Sequence, residues 1–547
     1  MKFIPTLCTA SLLAGTALTA VAQGTYDDAL RIDPAGFETL TVTVDGAPLV
    51  VRRYEAVYAG NPVAMAAVQP ARSMGPGGSP ASAEGQELSD LLTYQKMVIY
   101  VPETSIDDQS TAMIFAVNNA GWFASELRTS VENGAEYLST SDTDKVGAAL
   151  AAGYVFVDVG TRGRGINAAD GTAAGKAPAA IVDAKAAIRF LRLNDDVLPG
   201  SAERIVITGT SGGGGLSTAV AASGNAPDYF PYLAEIGAAG IDANGVSSLN
   251  DDVFATIAYC PITSLGYADM AYEWQYQAQR DAQLTGVSLA ASQTLRSEYP
   301  AYLESLGLAL DDGTPLSADN MNDLLMQIVT QEIQDHIDEG GSVPAIGEMF
   351  EFTSRGQTVE VENTWLSVVD GVIAPFDIQD FLAFVTQTSA LKNVPAFDRT
   401  ANSGNEGVDG ENTLFGAATQ EYSNFTPFGW NMNEVAGDGS GTDDTGLVWD
   451  EFLQTEAGEA IAAQIKLTDP QAFLQGNADS APYWYIRHGM IDRDTSFAVE
   501  LALYRAVAGT EGVKDVNFTL PWMTPHSGNY DVQEAYGWLA SVLSDAE

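Results

Sequence analysis

The 547-residue chain is 46% hydrophobic and 18% charged, which excludes a disordered or collagen-like polymer and leaves ample length for a large core. Its 25 lysines and arginines against 72 aspartates and glutamates give a formal charge of −47, which excludes nucleic acid and anionic membranes as partners held by surface charge.

The chain opens on a targeting pattern. Lys2, the apolar run Phe3 to Thr19 and the small-x-small end Ala20-Val21-Ala22 predict a cleavable signal over residues 1–22, and hence a secreted or periplasmic product. The run is too short, and too interrupted by Pro5 and threonines, for a membrane anchor, and no later uncharged stretch is long enough to span a bilayer. Cleavage before Gln23 removes Lys2 and makes the chain one unit more negative. Cys8 leaves with the signal, so Cys260 stands alone and internal disulfides cannot hold the fold.

Leu40 to Val44, Asp45-Gly46 and Leu49 to Val51 predict a hairpin with a tight turn, followed by a Gly-, Ala-, Ser- and Pro-rich loop over Gln69 to Gly85. Met97 to Val101, Met113 to Val117, Tyr154 to Val159, Arg204 to Thr208 and Thr256 to Tyr259 are short apolar runs of the kind a parallel sheet buries on both faces. Intervening helices such as Ala179 to Asn194 complete a doubly wound α/β plan. From Ile262 to Asp469 the strand rhythm stops. Met321, Leu324, Leu325 and Ile328 recur at helical spacing there, so this stretch reads as an inserted, largely helical lid. Strands Tyr483 to Arg487 and Val516 to Leu520 and a helix carrying Tyr536, Leu539 and Leu543 finish the chain. The expected organisation is a core of residues 23–261, a lid of 262–469 and a second core part of 470–547.

Gly209-Thr210-Ser211-Gly212-Gly213 joins a strand directly to a helix, Leu216 to Ala222. A serine on so sharp a turn has its hydroxyl pushed out over the sheet edge. Fifty-three glycines produce several Gly-x-x-x-Gly frames by chance, so the strand and helix around this one carry the inference. A serine needs a base, and the base needs a carboxylate to fix its tautomer. Only His336, His488 and His526 exist. His526 follows the last strand, where the base of such a fold belongs; His488 reads as a packed strand residue, and His336 as a solvated one among glutamines and aspartates. Asp492 and Asp494 both follow the preceding strand, and spacing does not choose between them. An oxyanion needs two donors. The Gly212 amide is one, and the Gly121 or Trp122 amide, in the loop after Val117, is the candidate for the other. No cofactor is called for, and no metal: Asp438 to Asp444 suggests a calcium loop, but Trp449 stands where the bidentate glutamate is needed. Arg162 and Arg164, in a glycine-rich loop without dinucleotide-binding spacing, are expected to pair with acids.

These segments resemble those of the bacterial tannases, galloyl-ester hydrolases of the α/β-hydrolase fold. The likeness lies in Gly209 to Gly213, in Ala258 to Thr263 with Ala268 to Trp274, in Ile486 to Ser496, and in Leu520 to Trp522 with Pro525 to Gly528. The resemblance implies that Ser211, Asp492 and His526 form a triad and that Asp494 faces the substrate. It also implies that Lys392 and Glu411 reach the phenol groups of a gallate ring, with Glu406 and Asp409 as neighbouring acids for the second role. Ring hydroxyls donate to carboxylates and accept from an ammonium, which suits that set. The implied activity is hydrolysis of galloyl esters and depsides, with a small phenolic ester as the partner. A hydroxycinnamate or general aryl esterase, and an inactive binding protein on the same fold, are the competing expectations.

Overall fold

A computed structural model describes residues 23–71, 85–354, 356–399, 411–436 and 445–546, with backbone alone for 433–436. The expected signal, most of the Gln69 to Gly85 loop, Glu406, Asp409 and the Asp438 to Asp444 loop lie outside the described residues. Among the described residues no helix is long and apolar enough to cross a membrane.

In chain order the core elements are β1 (Glu38–Val44), β2 (Ala47–Val57), β3 (Lys96–Pro102), β4 (Met113–Ala116), β5 (Glu136–Tyr137), β6 (Val155–Val159), α1 (Ala179–Leu193), β7 (Ile205–Thr210), α2 (Gly212–Ala222) and β8 (Ala255–Tyr259). After β8 come α3 (Leu265–Gln275), α4 (Gln277–Gln283), α5 (Met321–Asp338) and α6 (Glu456–Thr468), then β9 (Tyr483–Arg487), α7 (Phe497–Ala508), β10 (Asp515–Thr519) and α8 (Val532–Asp545). The ten strands form one sheet in the order β10-β9-β8-β7-β4-β6-β3-β2-β1-β5. From β10 to β6 every neighbour is parallel. β3 departs from the sequence expectation: it runs antiparallel to both β2 and β6. The fold is a mostly parallel, doubly wound α/β sheet with a helical inserted domain.

Two-sided burial explains the apolar runs. Met113, Phe115, Val155, Val157, Ile205 and Ile207 enter one core, while Ile114, Phe156 and Val206 enter the other, so alternate side chains of the same strands feed opposite faces. Register then sets the edge where the loops emerge. Thr210 pairs with Tyr259, Tyr259 with Arg487 and Arg487 with Thr519, so four strands end side by side. Ser211, the Asp492 loop and the His526 loop all leave from that carboxyl edge, the usual ligand edge of open α/β sheets.

The insertion begins at this edge after Tyr259 and returns to β9 at Tyr483, which pairs with Ala255 at the other end of β8. It is therefore also a crossover between adjacent parallel strands, and its long return helix, α6, packs on α2. Besides helices it holds a hairpin, Met349–Ser354 against Gln357–Glu362, and a smaller one, Val368–Val369 against Val372–Ile373. In the first, Phe350 and Phe352 are buried while Met349, Glu351 and Thr353 are exposed, a half-buried strand that helical spacing does not anticipate.

Candidate active site

Ser211 lies between β7 and α2 at φ 62°, ψ −123°, a backbone state that costs a non-glycine residue about 1–3 kcal/mol and persists only when its surroundings impose it. They do. The Ser211 amide donates to the Tyr259 carbonyl at 2.9 Å, and its carbonyl accepts from Ile262 at 3.1 Å and Gly215 at 2.9 Å. The flanking glycines are steric requirements. A Cβ at Gly209 would lie 2.2 Å from the Gly213 carbonyl oxygen, and one at Gly212 would lie 2.2 Å from the Trp122 amide nitrogen.

Three distant segments converge here. His526 Nε2 lies 2.9 Å from Ser211 Oγ, and His526 Nδ1 lies 2.7 Å from Asp492 Oδ2. Asp494 Oδ2 is farther from the same ring nitrogen, at 3.8 Å, so geometry separates two acids that spacing leaves equal. The Asp494 amide donates to Asp492 Oδ1 at 2.7 Å, and the Asp494 carboxylate pairs with Arg493. Burial alone would raise the Asp492 pKa, but the adjacent His526 and His488 rings and these hydrogen bonds hold it well below the usual carboxylate range. Burial likewise disfavours protonated His526, yet the Asp492 carboxylate raises its pKa well above the ordinary histidine value. Ser496 caps α7 by accepting from the Val499 amide, which fixes the chain just beyond both acids.

Beside the elbow, Gly121 (φ 58°) and Trp122 (φ 59°) form a left-handed turn whose amides approach Gly212. The Trp122 amide donates to the Asn119 carbonyl at 2.8 Å, and Arg164 Nε donates to the Gly121 carbonyl at 2.5 Å. Arg164 thus holds a turn of the site, and Arg162 pairs with Asp183 at 2.9 Å.

Lys392 is partly buried with its ammonium over the Phe397 ring, 3.9 Å from the centroid. Glu411 is buried at the start of a single turn, Glu411–Leu414, that packs on the Ala120–Trp122 turn. His488 is wholly buried just beyond β9, with its Nδ1 3.6 Å from Asp492 Oδ2. His336 is half-buried rather than fully solvated. Its ring stacks on Trp522 at 4.5 Å, and Glu332, one turn earlier on α5, accepts from the Leu520 amide at 3.0 Å, so this helix braces the loop that carries His526. Cys260 is a free, buried thiol that donates to the Ser527 carbonyl at 3.1 Å, and burial raises its pKa to about 11, so it packs as a thiol.

A parallel sheet with a strained serine elbow, and with histidine and aspartate delivered from successive strand ends, defines the α/β hydrolases. A family model described as BD-FAE matches residues 97–296. No curated protein matches the chain. Solved structures match along almost its whole length. The tannase of Fusobacterium nucleatum is 28% identical with a TM-score of 0.72, covering 94% of this chain and 99% of its own. The tannin acyl hydrolase of Lactobacillus plantarum is 27% identical with a TM-score of 0.72, covering 95% of this chain and 100% of its own. A tannin acyl hydrolase in complex with ethyl gallate matches with the same figures. The chain is a carboxylic ester hydrolase of the α/β-hydrolase fold. Its structural neighbours are bacterial tannases.

Proposed function

We propose that this protein is an exported serine esterase that hydrolyses galloyl esters and depsides, with residues 1–22 removed as a signal, a core of 23–261 and 470–547, and a lid of 262–469. The observation that carries the reading is the unbroken hydrogen-bonded series Asp492–His526–Ser211 at the elbow. His526 takes the Ser211 proton as Oγ attacks the ester carbonyl, while Asp492 holds the ring in the tautomer that leaves Nε2 free to accept. Negative charge on the carbonyl oxygen falls to the Gly212 amide and to an amide of the Gly121–Trp122 turn. Gly121 is the stronger candidate, since the Trp122 amide already donates to Asn119. Protonated His526 then gives its proton to the departing alcohol, and water, deprotonated by the same ring, releases the acid from Ser211.

The gallate ring would be read by Lys392, Glu411 and Asp494. The ammonium donates to ring oxygens, the carboxylates accept ring O–H groups, and a ring without hydroxyls would leave these groups unpaired. Support comes from the likeness to tannin acyl hydrolases, one in complex with ethyl gallate and one with 3,4-dihydroxybenzoate. The test is hydrolysis of methyl gallate by wild type and Ser211→Ala: loss of turnover, with loss of fluorophosphonate labelling, is expected. Full activity in the variant would overturn the mechanism.

A further inference from the structure

The Ala268 to Trp274 motif has no part in the acyl-transfer chemistry, yet it holds the strap that carries Lys392. Residues 392–399 form neither helix nor strand, so no ladder sets their backbone. Side chains from α3 and α4 do so instead. The Tyr272 hydroxyl accepts from the Lys392 amide at 3.1 Å and donates to the Arg493 carbonyl at 2.9 Å. Arg280 Nη2 donates to the Lys392 carbonyl at 2.9 Å, and Glu273 holds that guanidinium through bonds of 2.9 and 2.8 Å. Asp269 accepts from the Phe397 amide at 2.7 Å and from the Asp398 amide at 3.0 Å, and the Phe397 ring carries the Lys392 ammonium. Tyr272, Glu273 and Asp269 are all fully or almost fully buried, so these bonds are sheltered from competition by water.

One hydroxyl therefore ties the backbone of Lys392 to the peptide that precedes Asp494. We propose that Tyr272, backed by Asp269 and the Glu273–Arg280 pair, is a positioning residue for substrate selection: it fixes the separation of Lys392 and Asp494 and so the spacing of ring hydroxyls the site accepts. The proposal rests on the assignment of those two residues to the ring.

Tyr272→Phe removes only the hydroxyl. The assay compares methyl gallate with p-nitrophenyl acetate, whose acid half has no ring and reports the acyl machinery alone. Expected is a fall of about tenfold in kcat/KM on methyl gallate, carried chiefly by KM, with p-nitrophenyl acetate changed less than about twofold. Asp269→Asn should shift selectivity the same way. In Lys392→Ala/Tyr272→Phe the second change should cost less on methyl gallate than it does in wild type, because one of the two groups it spaces is gone. Equal losses on both esters, or additive losses in the double variant, would overturn the proposal in favour of a purely structural role. Loss of gallate preference in Lys392→Ala but not in Tyr272→Phe overturns the positioning role alone. No loss in either overturns the ring assignment with it.

Discussion

Replacing Gly212 by alanine tests the anion-holding corner with a single methyl group. The new Cβ would stand 2.2 Å from the Trp122 amide nitrogen, 2.5 Å from the Asn119 carbonyl oxygen and 3.0 Å from the Gly121 amide nitrogen. Non-bonded contacts of this kind settle at about 3.5 Å, so the turn must retreat by about an ångström. An amide poised about 2.8 Å from the oxyanion would then lie near 4 Å, beyond useful hydrogen bonding. Loss of one such donor lowers kcat by about 10²- to 10³-fold, or about 3–4 kcal/mol of barrier. Gly213→Ala is the control, because its Cβ meets nothing nearer than the Asn119 amide nitrogen at 3.3 Å. Steady-state kinetics on methyl gallate and thermal melts of both variants decide the matter. A Gly212→Ala enzyme with kcat within about threefold of Gly213→Ala and an unchanged Tm would refute the placement of the oxyanion beside this turn.

Other outcomes follow from the same geometry. Because Asp492 stabilises the proton on His526, kcat/KM should rise with pH through a limb above about pH 6.5, and Asp492→Asn should move that limb down while lowering kcat by about 10⁴-fold; a wild-type limb below this point contradicts the pairing. Burial, with repulsion from Asp398, raises the Asp269 pKa to about 8, and burial raises Glu332 to about 7 and Asp469 to about 6. The native state thus binds protons the unfolded chain has lost. Stability should fall as pH rises from about 4 through about 8, and Asp269→Asn should flatten the part of that fall nearest neutrality, as read by Tm against pH. Asp251→Ala strands the buried cations of Lys185 and Arg189, now 2.7 and 3.0 Å from its carboxylate, and should cost about 3–5 kcal/mol in urea unfolding; a loss below about 1 kcal/mol would show that water or relaxation shields them.

Strand runs such as Val155 to Val159 are legible because burial on both faces leaves them almost wholly apolar. The direction of β3 is not, since a buried strand has the same composition in either orientation. The hairpin at Met349 did leave a signal, the alternation of Phe350 with Phe352 and of Val359 with Val361, masked by the helical spacing around it. The placement of Ser211 on a strand-to-helix turn and of His526 just past the last strand was readable because strand-to-turn chemistry is local. Choosing between Asp492 and Asp494 required the path of a loop, and the stacking of His336 was not legible because its partner, Trp522, is far away in sequence. Asp269, Tyr272 and Arg164 act on backbone groups, and a side chain that bonds a peptide leaves no matching residue type for the eye to find.

The insertion's double service as a crossover has a practical meaning for anyone exchanging inserted domains among hydrolases of this fold. Its outbound end needs only the few residues through Ile262, whose amide bonds the Ser211 carbonyl, but its homeward helix is seated on the helix that follows Ser211 and must deliver the chain to the far rim of the sheet. A chimera that cuts symmetrically would discard that delivery and lose β9. The transplantable portion ends before Glu456, and grafts that respect this asymmetry should fold where tidier ones fail.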